Sequence, residues 1–282
     1  MKKLYRNLFL IVLTLIVMLK IFSLSAPKEE KFKPIVDDNV CVSLNYHRVK
    51  PKNLWNIIVE TLTQTKELKN YTVYKDEFID QIDTLIEEGA YFATLDELEE
   101  FHKTGNFPEK CVWISFDDVD KSVYEHAYPI LKERQIPFTL FVISSKVGSK
   151  NFNNLEMSTW DDLRDMRDSG LASFGSHTHD MHYLEDDKAS FLHKENYEMF
   201  KEDVKTSKKV IERELGIEID SIAYPFGETN DNVTNIVRDV GYNNAFILAP
   251  NPITAYSSSY YMDRYLIYKE NFDELVIPWL KK

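Results

Sequence analysis

Two short segments hold the residue types that metal-assisted hydrolysis requires. Ser115-Phe116-Asp117-Asp118 ends the apolar run Cys111-Val112-Trp113-Ile114, so two adjacent carboxylates stand at the exit of a predicted strand. Further along, Gly175-Ser176-His177-Thr178-His179-Asp180-Met181-His182 follows a shorter run and packs three imidazoles into six residues. One carboxylate oxygen plus two imidazole nitrogens is the donor set of a catalytic zinc site that keeps a position open for water. The neighbouring carboxylate is then free to act as a base. The pattern points to a metal-dependent hydrolase.

Ligation by His177 and His182 requires the chain between them to curl back as an irregular turn. On a regular helix Met181, not His182, would share a face with His177, and His179 competes for the role. His47 leaves the run Cys41-Val42-Ser43-Leu44-Asn45-Tyr46 and is the natural general acid, whereas His102, His126 and His193 have no partner pattern and read as surface residues. In Ala223-Tyr224-Pro225-Phe226-Gly227 the proline removes a donor and the glycine permits an unusual turn. Two readings stand for this segment: the Phe226 amide faces a developing oxyanion, or the segment is an ordinary Pro-Gly turn. Trp160 and Tyr224 are candidate sugar contacts, and an Asp of Trp160-Asp161-Asp162 could orient His47.

The elements that must position these residues alternate along the chain. Seven strand-like runs (Val40–Tyr46, Val112–Phe116, Phe138–Ile143, Ala172–Phe174, Ser221–Tyr224, Ala245–Leu248 and Tyr265–Tyr268) are separated by amphipathic stretches. Those stretches are Lys75–Glu88, Val123–Arg134, Trp160–Ser169, Asn196–Leu215 and Asn230–Val240, and Gly89, Gly170, Gly216 and Gly241 follow the helical patterns as C-terminal caps. Strand–helix alternation implies an α/β fold with a parallel sheet. Polar residues at the strand ends point to a distorted (β/α) barrel, a single catalytic domain over residues 40–282. Two long loops, 49–72 with Trp55 and Tyr71, and 180–194, read as functional or mobile segments. Cys41 and Cys111 lie at equal heights on two strands, where a direct bridge between parallel neighbours is awkward, so two buried free thiols are expected.

Charge and the N-terminus bound the partners. Residues 1–25 hold Lys2, Lys3, Arg6 and Lys20 with no acid, so the remainder carries 30 basic against 46 acidic residues, a formal −16. Such a surface repels nucleic acid and anionic headgroups and suits a neutral or cationic ligand. A basic start, an apolar run from Leu8 to Leu19 and small residues at Ser23, Ser25 and Ala26 have the order of an export signal. Residues 1–25 are therefore expected to be a cleaved signal peptide, with an uncleaved anchor as the alternative, and the polar, Pro-punctuated residues 26–39 a tether. Export would leave the protein secreted, extracellular or associated with the cell surface.

Together these segments resemble the polysaccharide deacetylases of carbohydrate esterase family 4, the NodB-homology group. Phe116-Asp117-Asp118 matches the first motif of that family, His177-Thr178 through His182 the second, and Tyr224-Pro225-Phe226-Gly227 a degenerate third. Asn45-Tyr46-His47-Arg48, standing before the Asp-Asp pair, is similar to the permuted branch acting on poly-β-1,6-N-acetyl-D-glucosamine. The resemblance implies a barrel in which Asp118, His177 and His182 hold one divalent metal, Zn2+ first among candidates. It makes Asp117 the general base, His47 the general acid and the Phe226 amide an oxyanion donor. It implies removal of acetyl groups from an extracellular biofilm polymer by a monomer, with peptidoglycan- or chitin-type glycans as alternatives, or a non-catalytic glycan-binding role. Three departures stand out: Val119 replaces the glycine usual after Asp-Asp, the histidines are spaced i, i+5, and no arginine precedes the Pro-Phe-Gly turn to support Asp117.

Overall fold

A computed structural model of the chain describes residues 33–52 and 70–282. The expected signal peptide 1–25, most of the tether and the part of the first long loop that holds Trp55 lie outside the described residues. Among the described residues, no helix is long and apolar enough to cross a membrane.

Eight parallel strands form the central sheet: β1 (Cys41–Tyr46), β2 (Tyr91–Phe92), β3 (Cys111–Phe116), β4 (Phe138–Val142), β5 (Ala172–Ser176), β6 (Ser221–Ala223), β7 (Asn244–Phe246) and β8 (Tyr265–Leu266). Their order is β7-β6-β5-β4-β3-β1-β8, with the short β2 beside the start of β3. The sheet curls until its two edges are linked by a bridge between Phe246 and Met262, just ahead of β8. The seven-strand path is the predicted distorted barrel. Helices cover it: α1 (Lys75–Glu87), α2 (Leu95–Thr104), α3 (Tyr128–Glu133), α4 (Trp160–Asp168), α5 (Tyr197–Leu215) and α6 (Asp231–Val240). The glycines expected to close helices do so at positive φ, Gly216 and Gly241 as the caps of α5 and α6.

Among the strands of the central sheet and the helices that cover it, β2 and α2 are not marked by the apolar pattern of the sequence. The signal for α2 was present: Thr94 caps it and Glu97 reaches back to the Thr94 amide at 2.8 Å. Its few apolar residues were too sparse to register as a face, though Leu95 and Leu98 are buried.

Period-two alternation decides what enters the barrel. On β3, Cys111 and Trp113 face inward, and Trp113 stacks on Phe246 at 4.7 Å and meets Phe141 edge-on. Gly175 belongs to the inward set of β5, where a Cβ would lie 2.4 Å from the Phe141 ring and 2.9 Å from the Ser221 carbonyl. Only glycine fits there. Outward residues Tyr46 and Phe116 pack on Phe78 of α1 instead. Burying each such aromatic contributes about 1.5–3 kcal/mol, so the parity of each strand is firmly set.

The expectation of free thiols is wrong. Cys41 and Cys111 form a disulfide, with Cα atoms 4.6 Å apart. β1 and β3 pair in register, Cys41 opposite Cys111, and both side chains face the barrel interior, so the sulfurs meet beneath the site.

Candidate active site and metal centre

The register that pairs the cysteines also sets the site. Asn45 pairs with Ser115, so continuing the inward parity brings His47 from β1 and Asp117 from β3 to one level at the barrel mouth. Asp118 would point the other way in an extended strand. Instead the chain reverses: Asp118 and Val119 take φ of 66° and 65°, and the Val119 amide donates to the Asp117 carbonyl at 2.7 Å. This three-residue turn returns the Asp118 carboxylate to the cavity.

His177 extends the inward set of β5, and its Nδ1–H donates to the Ala223 carbonyl at 2.8 Å. That bond fixes the tautomer and leaves the Nε2 lone pair facing the cavity. The loop after it curls back, as the five-residue spacing demanded. His182 Nε2 comes to 3.2 Å from Asp118 Oδ1, and His177 Nε2 to 3.5 Å from the same oxygen. His179 does not join them; its Nδ1 pairs with Ser144 Oγ at 2.9 Å.

Asp118, His177 and His182 form the one three-residue cluster among the described residues whose ligand atoms all lie within 4.8 Å of one another. Donors held about 2.1 Å from one tetrahedral ion sit roughly 3.4 Å apart, which these separations approach. Apart from the two imidazoles, no donor reaches the buried Asp118 Oδ1, an arrangement costly for an anion unless a cation compensates it. The residues fit a divalent ion.

Asp117 is handled differently. Arg264, fully buried, donates from both terminal nitrogens to the two Asp117 oxygens at 2.7 and 2.8 Å, and also to Ser115 Oγ at 3.3 Å. Burial by itself would raise the Asp117 carboxyl, but the Arg264 guanidinium and the nearby histidines outweigh it and hold it below the usual carboxylate range. Arg264 is the support that no residue near the Pro-Phe-Gly turn supplies. Asp118 is likewise lowered against the effect of burial, chiefly by His182. Burial pushes His47 down to about 4 despite the two aspartates, so its imidazole is neutral at pH 7.

These groups line a cavity of about 520 Å3, within the range of small-molecule sites. His47, Asp117, Asp118, His177, His182 and Phe226 all border it, with Tyr71, Phe152, Tyr183 and Leu184 as further walls. Tyr71 meets the His47 ring edge-on at 4.5 Å. Phe226 has φ 62° in a turn closed by Gly227 N to Tyr224 O at 3.0 Å, and its ring lies 4.8 Å from His182. Gly227 is obligatory: at φ 70° its Cβ would sit 2.5 Å from the Leu248 amide.

Two predicted sugar contacts are not brought to this cavity. Ala223 takes the inward position on β6, so Tyr224 faces the opposite side and is fully buried there. Trp160 opens α4, away from the lining residues. Asp162 does not orient His47; its carboxylate is taken up by Lys121 and by the Thr159 amide. His102 and His193 contact the Ser257 and Glu185 carbonyls and, like His126, are absent from the lining.

The polysaccharide deacetylase family model matches residues 104–245. Over 98% of this chain the sequence is 36% identical to the poly-beta-1,6-N-acetyl-D-glucosamine N-deacetylase of Staphylococcus aureus (strain MRSA252), covering 97% of that protein. The enzyme of the same name from Staphylococcus epidermidis is 35% identical over 89% of this chain and 87% of its own length. Among solved structures, IcaB from Ammonifex degensii superimposes with a TM-score of 0.78 at 30% identity, over 89% of this chain and 100% of that one.

Proposed function

As this chain belongs to the polysaccharide deacetylase family, and is therefore a hydrolase of N-acetyl amide bonds, we propose that its substrate is extracellular poly-β-1,6-N-acetyl-D-glucosamine. Acetate and a partly cationic polymer are the products. The observation that carries this reading is a pair of adjacent carboxylates in two environments: Asp118 turned toward His177 and His182, Asp117 clamped by Arg264. The substrate follows from the names of relatives that align over nearly the whole chain.

Asp118, His177 and His182 would hold one divalent ion, Zn2+ by the nature of the donors. Bound there, the ion supplies Lewis-acid polarisation of the acetamide oxygen and acidifies a water. Asp117 takes a proton from the water that attacks the carbonyl; Arg264 keeps the base ionised and aimed. The Phe226 amide donates to the oxyanion. His47, neutral at rest and holding no proton in reserve, passes to the departing sugar nitrogen the proton that Asp117 has taken from the water. Tyr71, Phe152 and Phe226 supply flat apolar faces against which a pyranose can lie. The N-terminal pattern supports export to the extracellular space or cell surface, ahead of a catalytic domain over residues 40–282.

The test is acetate release from β-1,6- and β-1,4-linked N-acetylglucosamine oligomers, with chelator and after zinc reloading. Zinc-dependent release favouring the β-1,6 series is expected. Preference for β-1,4 oligomers would shift the substrate to a chitin or peptidoglycan type. No release from either, with zinc bound, would leave a glycan-binding protein.

A further inference from the structure

The irregular turn that joins the two histidines has a support outside the cavity. Three consecutive amides converge on one side chain: His179 N–H donates to Asp203 Oδ1 at 2.7 Å, and Asp180 N–H and Met181 N–H to Oδ2 at 2.7 and 3.2 Å. Asp203 projects from α5, is nearly buried, and does not line the cavity. Successive N–H groups that point at one anion form a concave nest, a curl that neither helix nor strand produces. Here the curl supplies the residue by which the i, i+5 spacing exceeds a helical turn. It puts Met181, where a helix would put the second ligand, into the core at 3% exposure, and it swings His182 to Asp118.

We infer that Asp203 is a positioning residue for the metal site: it sets the affinity of the ion by fixing the 179–181 turn, without touching ion or substrate. The inference rests on the reading of Asp118, His177 and His182 as ligands. No other described side chain does this work for the turn. Asp180 itself bonds outward to Ser145 and Lys146, and His179 to Ser144, so those contacts hold its outer side only.

Asp203→Asn keeps the shape but replaces one acceptor oxygen with an NH2 that, in either orientation, faces at least one amide donor. Outer partners of metal ligands typically change affinity 10–100-fold when lost, so the variant should bind zinc about 10–100-fold more weakly. Competition of the metal-free full chain against a chromophoric chelator reads this directly. Glu202→Gln, an exposed neighbour whose carboxylate contacts Lys205, is the control and should match the wild type. Acetate release by Asp203→Asn should return to near the wild-type rate once zinc is saturating, which a general loss of structure would not allow. Zinc affinity within about twofold of wild type would overturn the inference. If Asp203→Asn does not fold, hydrogen exchange on the metal-free wild type decides. The amides of His179, Asp180 and Met181 should be protected well beyond those of Asp186 and Asp187, which link the antiparallel pair Leu184–Glu185 and Lys188–Ala189, and equal exchange would overturn the inference. A wild type that binds zinc yet releases no acetate would instead defeat the deacetylase reading and leave Asp203 in place.

Discussion

Arg264→Met tests the arrangement at a fully buried ion pair. Arg264 and Asp117 share two charge-assisted hydrogen bonds of 2.7 and 2.8 Å, with side chains 0% and 2% accessible. Methionine keeps much of the stem's bulk but strands a buried carboxylate. Removing one partner of such a pair costs about 3–5 kcal/mol, and that lowers Tm by roughly 6–20 °C for a domain of this size. The penalty carries a pH signature. In the wild type the folded-state value of Asp117 is depressed below the unfolded value of about 3.9, so the stability it contributes is complete above that pH and is lost as pH falls through the folded value. Without Arg264, burial prevails and the folded value rises above the unfolded one. The destabilisation is then largest near neutrality and shrinks as acid protonates Asp117. Urea unfolding of the metal-free proteins at pH 7 and 5 measures this, in a four-way cycle with Asp117→Asn. Against the neutral Asn side chain Arg264→Met should cost little, because no charge is stranded, giving a coupling of about 2 kcal/mol or more. An additive cycle, or an equal penalty at both pH values, would refute the reasoning.

Replacing Asp118 or His177 by Ala should abolish zinc binding and acetate release together, whereas Asp117→Asn should retain zinc and lose about 10²–10⁴ in kcat; metal analysis alongside the acetate assay separates the two. Since His47 sits near 4, its resting form does not change between pH 6 and 8, so kcat/KM should not fall with rising pH across that range. A descending limb there that vanishes in His47→Gln would mean the resting imidazole is protonated after all. Removing the disulfide in a Cys41→Ala, Cys111→Ala double variant should cost about 4 kcal/mol, from the chain entropy of its 70-residue loop, as measured by denaturant unfolding.

What the sequence made legible was local. Strand exits carrying Asp117-Asp118, His47 and His177 could be recognised because each apolar run ends in its own polar residues, and glycine caps bracketed the helices between them. The parity of each strand is readable in the same way, and applying it to Ala223 and Tyr224 would have kept Tyr224 out of the site. Arg264 had no such mark. It stands 147 residues from Asp117, next to the last predicted strand, and a lone arginine at a strand edge ordinarily snorkels to water. Only barrel closure turns it inward, where its guanidinium lies over Phe141 at 5.1 Å. The disulfide escaped although the equal height of its two cysteines was legible. General geometry disfavours such a bridge, and the deciding facts, that β1 and β3 are direct neighbours and that both cysteines face inward, belong to the folded sheet.

Val119 shows how one departure from the family pattern is absorbed. A β-branched residue at φ 65° is strained, by about 1–3 kcal/mol, and glycine would relieve it. Yet the Val119 side chain is 2% exposed, and burial of that kind contributes about 1.5–3 kcal/mol, while glycine would also bring a larger entropy loss on folding. The two effects nearly cancel, so the turn is kept without the residue that favours it. Its geometry is pinned from outside: Ser158 N–H donates to the Val119 carbonyl at 3.1 Å, and Asp120 accepts the Ser122 amide at 2.9 Å. The turn matters because it splits two neighbouring carboxylates between opposite surroundings. Asp117 keeps the strand's inward parity and meets a fixed guanidinium; Asp118, one residue on, is reversed toward two imidazole lone pairs. Adjacent acids can hold distinct roles only when their environments differ this sharply. Here a single left-handed reversal creates the difference, and neither acid's identity alone would.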